Sequence, residues 1–186
     1  MNPSTTFPSP SIVTPKPVVV TDSIPGPSWT PSVSITRPAD TTAYAAGDVI
    51  GTATSAIHTL TPAGPSFGGA VLITNVTLEL DIASVPAGMT TFRLHLFNAS
   101  PTAIADNAAF DLLSADRSKY LGFVDLPTPL DFGSTLWSET ESQIYWSIRK
   151  QVTLVDANLY GVLQTVGGYT PASASVFVLT VKTLSV

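Results

Sequence analysis

The stretch Thr74–Ile82, which reads TNVTLELDI, decides the fold class of this chain. From Val76 onward every second residue is apolar, and the residues between them are polar or charged. A period of two is typical of a β-strand with one buried and one solvated face. After a loop that contains Pro86 and Gly88, the stretch Phe92–Phe97 (FRLHLF) repeats this alternation. The two stretches predict two strands of one sheet, whose inward apolar side chains form a core nucleus.

Similar short patterns continue through the rest of the chain. Predicted strands lie at Val33–Arg37, Val49–Ile50, near Ile57 and Leu60 at a sheet edge, Tyr120–Val124, Thr135–Trp137, Gln143–Leu154, Leu159–Val166 and Ser175–Leu184. Gly161 predicts a weakened strand or a bulge. The one helical feature expected is a short turn through Phe110, capped by Asp106. Many short strands without a useful amphipathic helix predict an all-β fold, namely an antiparallel β-sandwich, jelly roll or barrel of about eight strands.

Residues 1–32 differ in composition from residues 33–186. They hold about half of the sixteen prolines, so neither helix nor central strand is expected there. The sequence therefore predicts an extended Pro-rich N-terminal arm followed by one β-sandwich domain. A disordered linker is one reading of this arm, and an ordered arm held by a partner is the other, because linkers are usually poor in large apolar residues. The predicted partner-binding residues are Phe7, Ile12, Val18, Val19, Val20 and Trp29.

The composition limits the classes of function. Hydrophobic residues make up 44% of the chain and charged residues only 11%, against about 25% in a typical domain. Such a surface suits a protein packed against neighbours, although a monomeric Thr-rich sandwich would share it. A net charge of −5 with eight scattered basic residues argues against nucleic-acid or anionic-membrane binding. The absence of cysteine excludes disulfide and thiolate chemistry. The first residues lack the pattern of a secretory signal, which predicts synthesis in the cytoplasm.

Few residues suggest chemistry, and we predict no catalytic, cofactor-binding or metal-binding residue. His58 is expected in a loop and His95 on the polar face of a strand beside Arg93, without the further ligands that a metal site needs. The carboxylates considered for glycoside cleavage are Glu79, Asp81, Glu139 and Glu141. The candidates for an oxygen-rich calcium site are Asp40, Asp48, Asp106 and Asp111, whose spacing matches no calcium loop. Trp137, Tyr145 and Trp146 are the candidates for a sugar-binding platform, with burial of Trp146 in the core as the alternative.

Four stretches of the sequence carry a resemblance to a known group of proteins. They are Ile35–Ile50 (ITRPADTTAYAAGDVI), Phe92–Phe97 (FRLHLF), Asp106–Phe110 (DNAAF) and Asp116–Gly122 (DRSKYLG). With them, roughly Ile35 to Gly122 resembles structural proteins of tailed bacteriophages and prophages. The segment RPADTTAY is its most specific part, and the Pro-rich arm lies outside it.

The resemblance implies a function without enzymatic activity. Small β-sandwich proteins of this kind resemble capsid decoration, or cement, proteins, which bind the head exterior and bridge capsomers. By analogy the partners are the major capsid protein and other copies of the chain, for example in a trimer, and the location is the virion head surface. Two alternatives stay open from the residues: a tail or baseplate appendage that binds host glycans, and a glycan hydrolase or esterase.

Overall fold

The computed structural model describes residues 26–140 and 150–186. Within them lie twelve strands and one 3₁₀ turn. The strands are β1 Ser28–Trp29, β2 Ser32–Thr36, β3 Val49–Ile50, β4 Ile57–Leu60, β5 Gly69–Leu80, β6 Phe92–Phe97, β7 Tyr120–Leu126, β8 Leu130–Asp131, β9 Leu136–Glu139, β10 Lys150–Leu154, β11 Leu159–Thr165 and β12 Val176–Ser185, and the turn is Ser114–Asp116.

The strands form two antiparallel sheets. The seven-stranded sheet runs β1–β12–β5–β9–β8, with β2 also paired to β12 and β10 also paired to β5. The five-stranded sheet runs β3–β11–β6–β7, with β4 also paired to β11. Side chains from both sheets share one buried cluster, so the sheets face each other as a sandwich. The predicted all-β sandwich is confirmed, with twelve strands rather than about eight.

The prediction that Thr74–Ile82 and Phe92–Phe97 belong to one sheet is wrong. The first stretch lies largely in β5, whose partners are β12, β10 and β9, whereas the second is β6, whose partners are β11 and β7. The connection over residues 81–91 crosses from one sheet to the other. A period of two shows which face of a strand is buried, but two strands satisfy it equally well by pairing or by facing each other.

The inward faces of these strands agree with the sequence prediction. Val76, Leu78 and Leu80 of β5 and the alternating apolar residues of β6 are all fully buried. Each such side chain contributes roughly 1.5–3 kcal/mol to folding. Phe177, Leu179 and Val181 of β12 are buried as predicted. The strong nucleus therefore exists, but it forms between two sheets.

Several local expectations are corrected. No helical turn forms at residues 108–110: Ala109 makes an isolated bridge with Asp48, and the one 3₁₀ turn in the described part of the chain is Ser114–Asp116. Strand β11 pairs through Gly161 in an unbroken register, so no bulge occurs there. Among the described residues, strand pairing begins at Ser28, within the segment assigned to the arm. Of the predicted strand Gln143–Leu154, the structure describes only Lys150–Leu154.

The helical content is correspondingly small. None of the described residues forms a helix that is long and apolar enough to span a bilayer.

Candidate functional site

Of the predicted partner-binding residues, only Trp29 lies in the described part of the chain. It is half-buried in β1, opposite Thr183 of β12, and packs against the main core. The others, Phe7, Ile12, Val18, Val19 and Val20, lie outside the described residues, as do Glu141, Tyr145 and Trp146. Trp29 therefore contributes to the sandwich of its own chain.

An exposed apolar groove lies at the free end of the seven-stranded sheet. Strand β8 is the last strand of this sheet, and it pairs only with β9 among the described strands. Leu130 and Phe132 expose 62% and 67% of their surface. Together with Trp137 they line a groove of about 500 Å³. The complete lining is Pro127, Thr128, Leu130, Phe132, Trp137, Ser138 and Glu139. We call this surface the edge groove.

The register of the β8–β9 hairpin places these side chains on one face. Leu130 pairs with Trp137, and the Phe132 N–H donates to the Thr135 carbonyl at 3.0 Å. Residues two apart on a strand share a face, so Leu130, Phe132 and Trp137 all point away from the core. Leu136 and Ser138, which alternate with Trp137, are buried on the other face.

The sequence analysis missed the edge groove. Leu130-Asp131-Phe132 alternates apolar and polar residues, but Pro127 and Pro129 precede it, and prolines argue against a strand. Because prolines are tolerated at sheet edges, the same prolines would have been compatible with an edge strand. The alternation next to prolines was the available signal.

A buried ionic cluster joins two of the stretches that carry the resemblance. Arg37 is fully buried directly after β2, and its guanidinium lies 3.3 Å from Oδ2 of Asp106. Its Nε donates to the Tyr44 hydroxyl, and the guanidinium lies 4.6 Å above the Tyr44 ring. Oδ1 of Asp106 accepts hydrogen bonds from the Tyr44 hydroxyl and the Gly51 N–H, both at 2.7 Å. Each charge of the pair therefore has a partner, which a buried ion pair requires.

The cluster has a structural consequence for the loops. It ties the end of β2, the loop after Arg37, the end of β3 and the loop that contains Asp106 into one unit. Burial and the hydrogen bond to Asp106 raise the pKa of Tyr44 above its ordinary value. The hydroxyl therefore stays protonated at neutral pH and acts as a donor. RPADTTAY and DNAAF thus hold the fold of this chain together.

His95 lies in an aromatic cluster on the outer face of the five-stranded sheet. The His95 ring stacks on Phe110 with 3.6 Å between centroids. Gln164 donates through its amide to the Gly47 carbonyl, so its Oε1 faces His95 Nε2 at 3.1 Å. Nε2 therefore carries the proton, and Nδ1 accepts from the Tyr120 hydroxyl at 3.0 Å. Burial lowers the pKa of His95, in part offset by the bond to Gln164.

The structure agrees with the predicted face of His95 and corrects the predicted placement of His58. His95 does point away from the main core, but the loop that carries Phe110 covers it, so only 5% of its surface is exposed. His58 lies in strand β4 and not in a loop, and its Nε2 lies 2.9 Å from the Ile50 carbonyl. Burial lowers the pKa of His58 as well. Both imidazoles are neutral structural groups.

The fourth resembling stretch also has a structural role. The Asp116 carboxylate accepts from Lys119 Nζ at 2.8 Å and from the Thr102 N–H at 2.9 Å. The Lys119 ammonium and this backbone donor lower the pKa of Asp116 to about 2. Lys119 also donates to the Ser100 carbonyl at 2.9 Å. These contacts hold the Ser114–Asp116 turn against the segment that follows β6.

The carboxylates considered for chemistry are dispersed or paired for structure. Glu79 lies opposite Trp137 and Glu139 opposite Thr77, so both carboxylates are on the outer face of the β5–β9 pair and not across a cleft. Asp40 accepts from the Thr42 N–H, and Asp48 from the Ala45 N–H. Within residues 26–140 and 150–186, no three His, Cys, Asp or Glu side chains come together as a metal site. The four aspartates considered for calcium do not converge, and Asp106 is held by Arg37.

Comparison with known proteins gives similarities of shape only. No protein-family model matches the sequence, and no curated protein matches it. Among solved structures, the capsid of Ralstonia phage GP4 is similar at 15% identity and a TM-score of 0.33, covering 93% of this chain and 90% of that chain. A turnip yellow mosaic virus structure is similar at 11% identity and a TM-score of 0.28, covering 99% and 89%. Because both TM-scores lie below 0.5, these similarities give no basis for assigning a function.

Proposed function

We propose that this protein is a non-enzymatic structural component of a bacteriophage virion, namely a decoration (cement) protein that binds the head exterior. The observation that carries the proposal is the edge groove, where Leu130 and Phe132 are more than half exposed beside Trp137. Large exposed apolar side chains that lie together mark a surface that another protein covers. Covering the two most exposed ones contributes roughly 1.5–3 kcal/mol each.

The distribution of charged residues also favours an apolar contact surface. Arg37 and Asp106, Arg93 and Asp125, and Lys119 and Asp116 form ion pairs within the chain. With charged residues at only 11% of the sequence, little charge is left for an ionic interface. Binding to a capsid surface should therefore depend on apolar burial and shape. It should change little between about 0.05 M and about 0.5 M salt, since screening acts on exposed charges.

The sequence resemblance supplies the phage context of the proposal. Arg37 and Tyr44, which begin and end its most specific segment, lie with Asp106 in the buried cluster and so explain the fold that the resembling proteins would share. The surface that contacts partners lies elsewhere on this chain, at the edge groove and in the Pro-rich segment. The major capsid protein and further copies of the chain are the proposed partners.

Co-sedimentation with purified phage heads that lack this protein tests the proposal. We expect the full-length chain to saturate the heads, and Phe132→Ser to weaken binding at unchanged thermal stability. Phe67→Ser is the matched control, since Phe67 is 86% exposed outside the groove. A variant without residues 2–25 keeps β1 and should stay folded while binding poorly. Absence of full-length binding at both salt concentrations, or localisation of the protein to the tail, would overturn the proposal.

Glycan binding by a tail or baseplate appendage is the second candidate. One observation favours it, namely that Trp137 and Phe132 line the same groove, because sugar rings stack on exposed aromatic side chains. Titration of the full-length protein with host surface polysaccharide, followed by tryptophan fluorescence, distinguishes the two. Saturable quenching that Phe132→Ser removes, together with failure to bind heads, would favour the glycan function.

A further inference from the structure

The outer edge of β8 can accept another strand. In the β8–β9 hairpin, Phe132 and Thr135 form a hydrogen-bonded pair, as the Phe132 N–H to Thr135 carbonyl bond shows. Hydrogen-bonded and non-hydrogen-bonded pairs alternate along an antiparallel ladder. Asp131, opposite Leu136, is therefore in a non-hydrogen-bonded pair. Its N–H and C=O point away from β9, toward the open edge.

One segment of the same chain has the chemistry to fill this edge. Val18-Val19-Val20-Thr21 is a run of four β-branched residues, the type that favours strands. Pro17 precedes the run and Pro25 follows it, so a strand formed there stays short. Lys16 before the run and Asp22 after it leave the segment without net charge, so apolar contact and backbone pairing would hold it at the edge.

The edge groove is distant from the point where the described chain begins. Gly26 lies against Ser185 of β12, and Ser185 pairs with Val71 of β5. Leu130 pairs with Trp137 of β9, which in turn pairs with Glu79 of β5. The two positions therefore differ by four strands across the sheet, from β1 to β8, and by eight residues along β5. Four strand spacings give about 19 Å across the sheet, and eight residues give about 26 Å along it, a separation of about 32 Å.

Residues 18–21 of the same chain cannot span this separation. Thr21 is five residues from Gly26, and a fully extended chain of five residues covers at most about 18 Å. Val18 is eight residues away and reaches at most about 29 Å, even along a straight line through the molecule. The groove is therefore out of reach for residues 18–21 of the chain to which it belongs.

We propose that residues 18–21 of a second copy of this chain add to β8 as a strand and cover the edge groove. Valine side chains on one face of the added strand would contact Leu130 and Phe132, while its backbone pairs with Asp131. Every copy then donates one segment and receives one, which gives either a reciprocal dimer or a head-to-tail ring such as a trimer. This inference rests on the proposed function in assembly and names one of its partners.

The chain contains no cysteine, so single cysteines can test the contact in the full-length protein. Val20→Cys is activated as a mixed disulfide with thionitrobenzoate and mixed with reduced Phe132→Cys, because Val18 and Val20 share the face that would contact the groove. The thiolate introduced at position 132 attacks the sulfur at position 20, a disulfide forms between the chains, and the thionitrobenzoate anion leaves and is measured by its absorbance. The matched acceptor is Phe67→Cys, whose position is more exposed but lies outside the groove.

We expect cross-linking to Phe132→Cys to be roughly 100-fold faster than to Phe67→Cys, because docking raises the effective concentration from about 10 micromolar to about 1 millimolar. Equal rates would overturn the inference. The double variant Val20→Cys/Phe132→Cys should form disulfide-linked oligomers, and a disulfide closed within one chain would also overturn it. If Phe132→Cys does not fold, Leu130→Cys serves as the acceptor. Loss of this cross-link with head binding intact refutes only the inference, whereas cross-linking without head binding refutes only the decoration function.

Discussion

Tyr44 and Asp106 are 62 residues apart in the sequence and are joined by a hydrogen bond of 2.7 Å. Both contact the guanidinium of Arg37, which is fully buried. The loops that carry these residues lie outside the strands and are held by isolated backbone bridges, Tyr44 to Tyr169 and Asp48 to Ala109. The cluster adds buried side-chain contacts to these bridges, and its removal should lower the stability of the whole sandwich.

Asp106→Asn should strongly destabilise the protein. The substitution keeps the shape of the side chain but removes the buried counter-charge of the Arg37 guanidinium, which typically costs about 3–5 kcal/mol. The half-exposed Asp40 carboxylate, 3.6 Å from the guanidinium, remains and offsets part of this loss. Urea unfolding at neutral pH measures the change in the free energy of unfolding. Asp111→Asn is the matched control, because Asp111 is exposed in the same loop, and it should change stability by less than about 0.5 kcal/mol. A loss below about 1 kcal/mol for Asp106→Asn would contradict a stabilising role of the ion pair.

Stability should fall as the pH drops below about 6.5, because burial lowers the pKa of His58 and of His95 in the folded state. The unfolded chain then binds protons at a higher pH than the folded chain, so acidification favours unfolding. Urea unfolding at about pH 7.5 and about pH 5.5 measures this trend.

NMR titration of the histidine ring protons measures the pKa of His58 and of His95 separately. In the folded protein both midpoints should lie below those of the same residues in the urea-unfolded chain. A midpoint of His95 above the unfolded value would show that the Tyr120 and Gln164 contacts hold the charged form instead.

Asp116 should contribute to the loss of folding stability at acidic pH. Its pKa is lowered from 3.8 to about 2 by Lys119 and by the Thr102 N–H, so its contribution is present above pH 3.8 and is lost as the pH falls toward 2. The stability difference between wild type and Asp116→Asn should therefore be largest at neutral pH and should shrink through this window. A difference that stays constant down to about pH 2 would mean that the carboxylate is not held in its charged form.

Gly161→Ala should destabilise the core by overpacking. A Cβ at this position would lie 2.9 Å from Cδ1 of Leu94 on the adjacent strand, and extra volume in a packed core typically costs about 1–3 kcal/mol. Thermal unfolding measures the loss. The double variant Gly161→Ala/Leu94→Val should be less destabilised than the sum of the two single variants, because the smaller side chain removes the clash. Additive effects would place the cause elsewhere.

The alternation of apolar residues in β5, β6 and β12 was sufficient to predict the all-β class and the buried faces. Burial depends on side-chain hydrophobicity, and the two-residue period of a strand converts it into a pattern that is visible along the chain. The assignment of β5 and β6 to one sheet failed because pairing depends on backbone hydrogen bonds, which every residue type can make.

The polar residues were harder to place than the apolar ones. The prediction assigned Asp106 a local role as a helix cap, since aspartate often has that role. Its actual partners, Arg37 and Tyr44, are more than sixty positions earlier in the chain. The sequence placed His95 on the polar face of its strand but gave no sign of its burial, because nothing in that strand shows that Phe110 from a distant loop stacks on it. Long-range contacts of this kind produce no periodic pattern in the sequence.

The amino-acid sequence alone determined which faces of β5, β6 and β12 are buried, because hydrophobicity acts residue by residue and the strand period orders it. It also determined the small share of charge that disfavours an ionic interface. Only the tertiary structure decided that Arg37, Tyr44 and Asp106 meet, and that Leu130 and Phe132 remain exposed at a sheet edge. Those properties depend on which strands become neighbours, and that choice is made by the packing of the whole chain.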